Sequence, residues 1–434
     1  MSIPLDVLDC DSGGELQSQR LPAKKSYAAF DPGPLTQVTS ITGLTFDFNY
    51  GARIQVPPGN GRVKIMDRDS GLTLYDASAS NVIVTSTKKY YVNFRIEFYQ
   101  DDKLIFEHNL DLRGRNVLIK YPVGTLGDII AWFPYAREFQ RLYGCQVYCA
   151  MAPEIAALFQ SSYPELHFIG PNERPRECYA SYYMGIFFPC DDRNHQPVDW
   201  RIVGLQKTIP YLLGLSVKEI RPVIRIESMN RSIKEPYVCI AAQATSQAKY
   251  WTNPGGWMRI VQYLKDKGYR VLCIDQKMYH GFGSYWNTIP YGSENFTGAK
   301  PLTERAELLF HADFFIGLSS GLAWLAWAVG KPVVMISGFT LPLNEFYTPY
   351  RVINYHICNG CWNDSSLEFN HADFAWCPRH KDTVQQFECT RFITAAQVQH
   401  AIDHLMHDYD LNPIKGLNDP DPYAARSAEM AGRL

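Results

Sequence analysis

Two rhythms of apolar and polar positions divide the chain. From about residue 31 to 114, short runs rich in β-branched and aromatic residues (Leu44–Tyr50, Asn81–Ser86, Tyr90–Tyr99 and Lys103–Leu110) alternate with turn signals. Those signals are Pro57-Pro58-Gly59-Asn60-Gly61, Asp69-Ser70-Gly71 and Asp101-Asp102. Within Tyr91–Phe98 polar and apolar side chains partly alternate, as on a strand with one wet face. This spacing predicts a small antiparallel β domain over 31–114.

The rhythm then changes to strands separated by helices. An apolar strand at Asn116–Tyr121, a helix at Ile129–Tyr143, a strand at Gln146–Ala150, a helix near Pro153–Gln160 and a strand at Leu166–Ile169 predict a first Rossmann-like unit over 115–225. A charged connection, Glu219–Glu235, leads to a second unit over 236–345. Its strands are expected at Tyr237–Ala242, Tyr269–Ile274, Phe314–Leu318 and Pro332–Ser337, and its helices at Gly256–Lys267, Leu302–His311 and Gly321–Val329. The class is α/β with mostly parallel sheets, and two such units in tandem leave a cleft between them. Residues 346–392 break the rhythm and are loop-rich. Residues 393–434 hold a helix near Ala395–Met406 and a Pro/Asp/Gly-rich tail expected to be extended, and residues 1–30 read as a loosely held polar arm. No repeat of solenoid or propeller period is present.

Composition narrows the function classes. A chain of 434 residues with 46% hydrophobic and 20% charged residues can bury several cores. Its 42 basic and 44 acidic side chains leave a net charge of −2, which provides no global field for a polyanion, so nucleic acid is not the expected partner. No window reaches the roughly 18 apolar residues of a spanning helix, and the first residues lack the basic start and apolar segment of a secretory signal. The expected location is therefore a reducing cytoplasm, where eleven cysteines serve as buried thiols or metal ligands rather than as disulfides.

Three turns can carry chemistry. Gly124-Thr125-Leu126-Gly127-Asp128 lies between a buried strand and a helix, where parallel α/β sheets hold ligands. Its glycines let backbone approach a substrate, and the Asp128 carboxylate can take a proton from an attacking hydroxyl. The plainer alternative is that Asp128 caps its helix. In the second unit Ser319-Ser320-Gly321-Leu322 repeats the arrangement, and free amides at a helix start suit a diphosphate; ordinary serine capping is the competing explanation. Lys249, in Lys249-Tyr250-Trp251, can offset charge on a leaving diphosphate or be a solvated surface charge. Thr297 and Gly298 end a loop, Asp275–Gly298, that is a plausible donor wall.

The cysteine spacing is a separate signal. Cys358-x2-Cys361 is followed by Cys377 and Cys389, which together can close a tetrahedron of thiolates around one ion. His356, His371 and His380 are alternative ligands, and unrelated buried thiols are the plain alternative. A sulfur tetrahedron serves zinc or iron, and ligand type alone leaves zinc the default.

The Gly-Thr-Leu-Gly-Asp turn, Lys249-Tyr250-Trp251, and Ser-Gly-Leu-Ala ahead of Gly330-Lys331-Pro332 resemble ADP-heptose-dependent lipopolysaccharide heptosyltransferases over about Arg115–Gly338. With the β-rich start and the four cysteines, the chain as a whole resembles the autotransporter heptosyltransferases of the TibC and Aah type, from about residue 30 to 410. The resemblance implies a GT-B glycosyltransferase with two Rossmann-like domains, the first on the acceptor side and the second on the ADP-heptose side. It implies Asp128 as catalytic base and contact of the donor with Lys249, Ser319, Ser320, Gly321 and Leu322; Thr125, Leu126, Gly127, Thr297 and Gly298 are further candidate donor contacts from their places in the turn and the loop. It further implies inverting transfer from ADP-glycero-manno-heptose to serines of an autotransporter passenger in the bacterial cytoplasm, self-assembly into a ring such as a dodecamer, and one structural iron per chain on Cys358, Cys361, Cys377 and Cys389. One departure stands out. The family commonly has Asp-Thr before Gly-Leu where this chain has Ser319-Ser320, so a carboxylate there is absent or supplied from elsewhere. The alternatives are a lipopolysaccharide-core heptosyltransferase, a noncatalytic metal-finger assembly or binding protein, and a rubredoxin-like electron carrier.

Overall fold

The computed structural model describes residues 31–122, 125–188 and 193–413. The expected arm and the tail from 414 onward, together with Val123 and Gly124, lie outside the described residues.

The second unit follows the expected pattern closely. Its six strands lie in the order Glu294–Asn295, Arg270–Cys273, Tyr237–Ala241, Phe315–Leu318, Val333–Ile336 and Arg351–Val352, and every neighbouring pair is parallel. The central strands Tyr237–Ala241, Phe315–Leu318 and Val333–Ile336 are buried at every position, which is why they read as unbroken apolar runs. Helices Gly256–Asp266, Leu302–His311 and Gly321–Ala328 connect them. The last helix, Ala395–Asp408, starts with a capping box between Thr394 and Gln397 and adds Val398, Ile402 and Leu405 to the same core. Because the strands are parallel, the loops that carry Lys249, Asp275, Thr297, Ser319 and Phe339 all leave the sheet at one edge.

The first unit departs from the expectation. Eight strands form one mixed sheet that runs across the expected boundary at 114/115: His167–Ile169, Gln146–Ala150, Asn116–Lys120, Ala180–Tyr183, Thr45–Asn49, Arg53–Val56 and Val82–Thr85, with Gln37–Val38 on Thr45–Asn49. Ala180–Tyr183 is the seam. It pairs in parallel with Asn116–Lys120 on one side and with Thr45–Asn49 on the other, and its Ala-Ser-Tyr-Tyr text carries no apolar run to announce it. Half of the expected β domain is therefore an extension of the Rossmann-like sheet. The other half is a four-stranded antiparallel sheet, ordered Thr73–Ala79, Gly61–Asp67, Phe94–Gln100 and Lys103–Asn109. Aromatic rings join the two sheets: Phe48 stacks on Phe94 at 6.1 Å, and Phe46 meets Phe106 at 5.3 Å. A buried bidentate pair, Arg53 with Asp47 at 2.6 and 2.7 Å, ties neighbouring strands of the mixed sheet.

Two smaller corrections follow from local chemistry. The helix expected over Ile129–Tyr143 is two helices, Leu126–Trp132 and Pro134–Tyr143; Pro134 has no N–H to continue the first and is preorganised to begin the second. The loop expected over Asp275–Gly298 contains a hairpin, Tyr279–Phe282 paired with Tyr285–Thr288, and ends in the edge strand Glu294–Asn295. Among the described residues no helix is long and apolar enough to cross a membrane.

Candidate active site and cysteine cluster

The two glycine-containing turns meet. The helices Leu126–Trp132 and Gly321–Ala328 start against each other, and the closeness depends on glycine at both positions. A Cβ on Gly127 would stand 2.9 Å from Trp324 Cδ1 and 3.3 Å from Gly321 Cα; one on Gly321 would stand 3.0 Å from Leu126 Cβ. Neither helix uses a side-chain cap: Thr125 and Ser320 hold the cap positions without such a bond. The leading amides, those of Leu126 and Gly127 and of Gly321 and Leu322, are the ones a helix start leaves without intrahelical acceptors, whereas the Ala323 N–H donates to the Ser320 carbonyl at 3.1 Å. Asp128 is the third residue of its helix, not its cap. Leu322 is the second residue of the facing helix and is half-buried.

Asp128 and Lys249 come from opposite units and lie within electrostatic reach of each other. Burial pushes the Asp128 carboxyl up to about 6, against the pull of the Lys249 charge and of the Thr125 hydroxyl. Burial likewise lowers Lys249 below the usual lysine range, with Asp128 and Glu345 opposing the shift. The lysine is not the solvated surface charge of the plain alternative. Its ammonium stands 5.7 Å from the Trp362 ring and 5.8 Å from the Phe339 ring.

Ser319 does not cap its helix. Its hydroxyl donates to Glu345 Oε1, which also accepts from Asn344 Nδ2 at 3.0 Å. A carboxylate therefore does stand beside Ser319, contributed by residue 345. It is not free, because Arg351 Nη1 lies 2.7 Å from its other oxygen and both side chains are buried. Burial alone would raise the Glu345 carboxyl; Arg351 and the hydrogen bonds from Ser319 and Asn344 hold it below the usual range. Thr297 and Gly298 sit at the same sheet edge but are held elsewhere. Thr297 bonds to Asn295 Oδ1, and the Gly298 carbonyl accepts from Arg305 at 2.6 Å.

The four cysteines line one cavity: Cys358, Cys361, Cys377 and Cys389, together with Phe339, Trp376, Phe387, His380 and Glu388. Burial and the neighbouring Cys358 push Cys361 up to about 12, and Cys389 is raised by burial and by the other three cysteines. Four sulfur donors lining one apolar cavity are of the chemical type that suits a thiophilic ion such as zinc or iron. Of the three candidate histidines, His380 is at the cavity. His356 is exposed, and His371 packs edge-on against Phe188 and Phe369, at 5.3 and 4.8 Å. Among the described residues the set whose ligand atoms converge is a different one: those of Cys358, His380 and Glu388 lie within 4.8 Å of one another. Glu345, Glu388, Phe339 and Trp362 were not singled out in the sequence. Each depends on a long-range fold, and only the missing carboxylate before Gly321 hinted at the first.

Known proteins resemble this chain over most of its length. Residues 41–102 match the family model for the N-terminal domain of glycosyltransferase TibC, and residues 203–371 match that for glycosyltransferase family 9 (heptosyltransferase). The autotransporter heptosyltransferase BAHTCr of Citrobacter rodentium is 51% identical over 388 residues, covering 88% of this chain and 94% of that protein. The crystal structure of the iron-containing dodecameric glycosyltransferase TibC from enterotoxigenic E. coli H10407 superposes with a TM-score of 0.85 at 48% identity, covering 87% of this chain and 99% of that one. TibC in complex with an ADP-heptose gives a TM-score of 0.85 at 47% identity, covering 87% and 100%. The chain belongs to the autotransporter heptosyltransferases and is a glycosyltransferase.

Proposed function

We propose that this chain is an inverting GT-B enzyme that moves heptose from ADP-glycero-manno-heptose to serine hydroxyls of an autotransporter passenger in the bacterial cytoplasm. The observation that carries the reading is the junction itself: a carboxyl held near pH 6 on one unit opposite a lysine on the other, where two uncapped helix starts touch. Asp128 takes the serine proton as the serine oxygen bonds to the heptose anomeric carbon. The bond from that carbon to the diphosphate oxygen breaks on the opposite face, and ADP leaves with the electron pair. Lys249 and the amides at Ser320–Leu322 offset its charge, with Ser319, Thr125, Leu126, Gly127, Thr297 and Gly298 shaping the donor side.

Cys358, Cys361, Cys377 and Cys389 are the residues that would hold an iron, by analogy with the iron-containing relative, with zinc as the alternative ion. Bound there, it would cross-link the 346–392 segment, and the transfer does not pass through it. Self-assembly is proposed from the same relative, which is dodecameric. The TibC-like N-terminal region favours a protein acceptor over a lipopolysaccharide one. Mass spectrometry of a passenger co-expressed with this protein and its donor pathway tests the reading. Heptose increments on serine support it, whereas transfer to a lipopolysaccharide core alone would replace it. Elemental analysis close to one iron per chain, lost on serine replacement of the cysteines but not on His380→Ala, supports the four-sulfur set over the Cys358–His380–Glu388 set.

A further inference from the structure

The diphosphate role proposed for Lys249 leaves open what holds a half-buried ammonium that feels the charge of two carboxylates, Asp128 and Glu345. The cysteine segment packs against the turn that carries it. Lys249 ends a short turn, Gln247–Lys249, whose Gln247 N–H donates to the Phe374 carbonyl at 2.8 Å. The next residue, Ala248, is buried in the wall of the cysteine cavity. Thus the backbone before the lysine is fastened to the loop between Cys361 and Cys377, and its side chain then lies across Trp362 and Phe339 at 5.7 and 5.8 Å.

Trp362 is itself well fixed. Its Nε1–H donates to Asn344 Oδ1 at 2.9 Å, and its backbone N–H donates to the Phe339 carbonyl at 3.2 Å. Its ring packs on Trp200 at 4.6 Å, Phe369 at 5.0 Å and Phe339 at 5.6 Å. Asn344 also holds Glu345, so one network joins the aromatic faces to the carboxylate behind Ser319. The negative faces of two rings attract an ammonium without neutralising it by proton transfer and without occupying its hydrogen-bond donors. A carboxylate partner would compete with a phosphate for those donors; a ring face does not.

We propose that Trp362, with Phe339, is a positioning residue for Lys249: Trp362 of the cysteine segment and Phe339 of the loop before it form an aromatic clamp that presents the ammonium to the donor diphosphate. The inference rests on the reading of Lys249 as the diphosphate contact. It gives 346–392 a part in donor binding beyond cross-linking the chain.

A double-mutant cycle on the full-length protein tests it, with ADP as the probe in isothermal titration calorimetry and with KM and kcat measured for the donor. Trp362→Leu should weaken ADP binding by about five- to tenfold, within the span of a partly desolvated cation–π contact. Trp362→Phe, which keeps a ring face but loses the bond to Asn344, should recover most of the affinity. In a Lys249→Gln background Trp362→Leu should have no further effect. Melting temperature and metal content of each variant separate this outcome from misfolding, and Phe339→Leu repeats the cycle if Trp362→Leu does not fold. Additive losses in the double variant, or equal losses for Leu and Phe, would overturn the clamp while leaving the lysine reading intact. Unchanged ADP binding in Lys249→Gln alone would overturn the lysine reading and the clamp with it.

Discussion

The turns at 125–128 and 319–322 are the same backbone device with opposite electrostatics. Each follows a buried parallel strand, begins a helix without a side-chain cap, and reaches the other through a glycine. The first carries a carboxyl whose ordinary range is raised by burial and only partly restored by Lys249. The second presents amides and the Ser320 hydroxyl, and its nearby carboxylate, Glu345, is committed to Arg351, Ser319 and Asn344. A proton acceptor and an anion cradle can therefore be built from one motif by changing where the negative charge sits and what neutralises it. Near a diphosphate, a locked carboxylate is tolerable where a free one would repel.

Breaking the first turn should have the largest effect. Asp128→Asn keeps the shape and removes the base, so turnover should fall by about 10²–10⁴-fold while ADP binding is retained. With the wild-type protein, transfer should lose activity as pH falls through about 6, because the acceptor of the serine proton is then already protonated. A rate profile flat from pH 5 to 8 would remove Asp128 from that role.

Breaking the second turn should cost stability as well as activity. Glu345→Gln leaves Arg351 as an unpaired charge among buried groups, a change worth about 3–5 kcal/mol in comparable buried pairs. Pairing it with Arg351→Met should recover much of that loss in chemical denaturation. If the double variant is no more stable than the single, the two side chains do not act as a pair.

The contact between the turns can be tested at Gly321. A Cβ there meets Leu126 Cβ at 3.0 Å and Gly127 N at 3.2 Å, and backbone cannot give way as a flexible side chain would. Gly321→Ala should destabilise by about 1–3 kcal/mol and lower turnover by separating Asp128 from Lys249. Loss of stability with unchanged turnover would show that the junction is not where the reaction occurs.

The two units also differ in how plainly their text discloses them. The strands of the second unit are covered on both faces, so Tyr237–Ala241 or Val333–Ile336 can be read as apolar runs bounded by turns. The first unit's sheet has a seam strand of Ala, Ser and two Tyr, and its pairing with Thr45–Asn49 spans more than a hundred residues of sequence. Local pattern cannot encode that partnership. The same distinction runs through the site. Asp128, Lys249 and Ser319 belong to short motifs at strand ends, whereas Glu345 and Trp362 acquire their meaning from loops that only the folded chain brings to Ser319 and Lys249. The Cys358-x2-Cys361 spacing is itself a local pattern and shows in the sequence; the convergence of His380 and Glu388 on Cys358 does not.

The smallest effect expected is a stability change that runs opposite to activity. In the folded protein the Asp128 carboxyl titrates near 6, against 3.8 for the ordinary group. Between those values the native state binds more protons than the unfolded chain, so stability falls as pH rises through the window and the loss persists above it. Asparagine cannot ionise and avoids that loss. Asp128→Asn should therefore melt at the same temperature as the wild type near pH 4 and at a higher one above pH 6. Because the side chain is only half-buried, solvent screening limits the gain to about 1–2 kcal/mol. Differential scanning calorimetry across pH 4–8 measures it directly. A melting-temperature difference independent of pH would mean that Asp128 titrates as an ordinary surface carboxylate, and the contrast between the two turns would then lie in geometry alone.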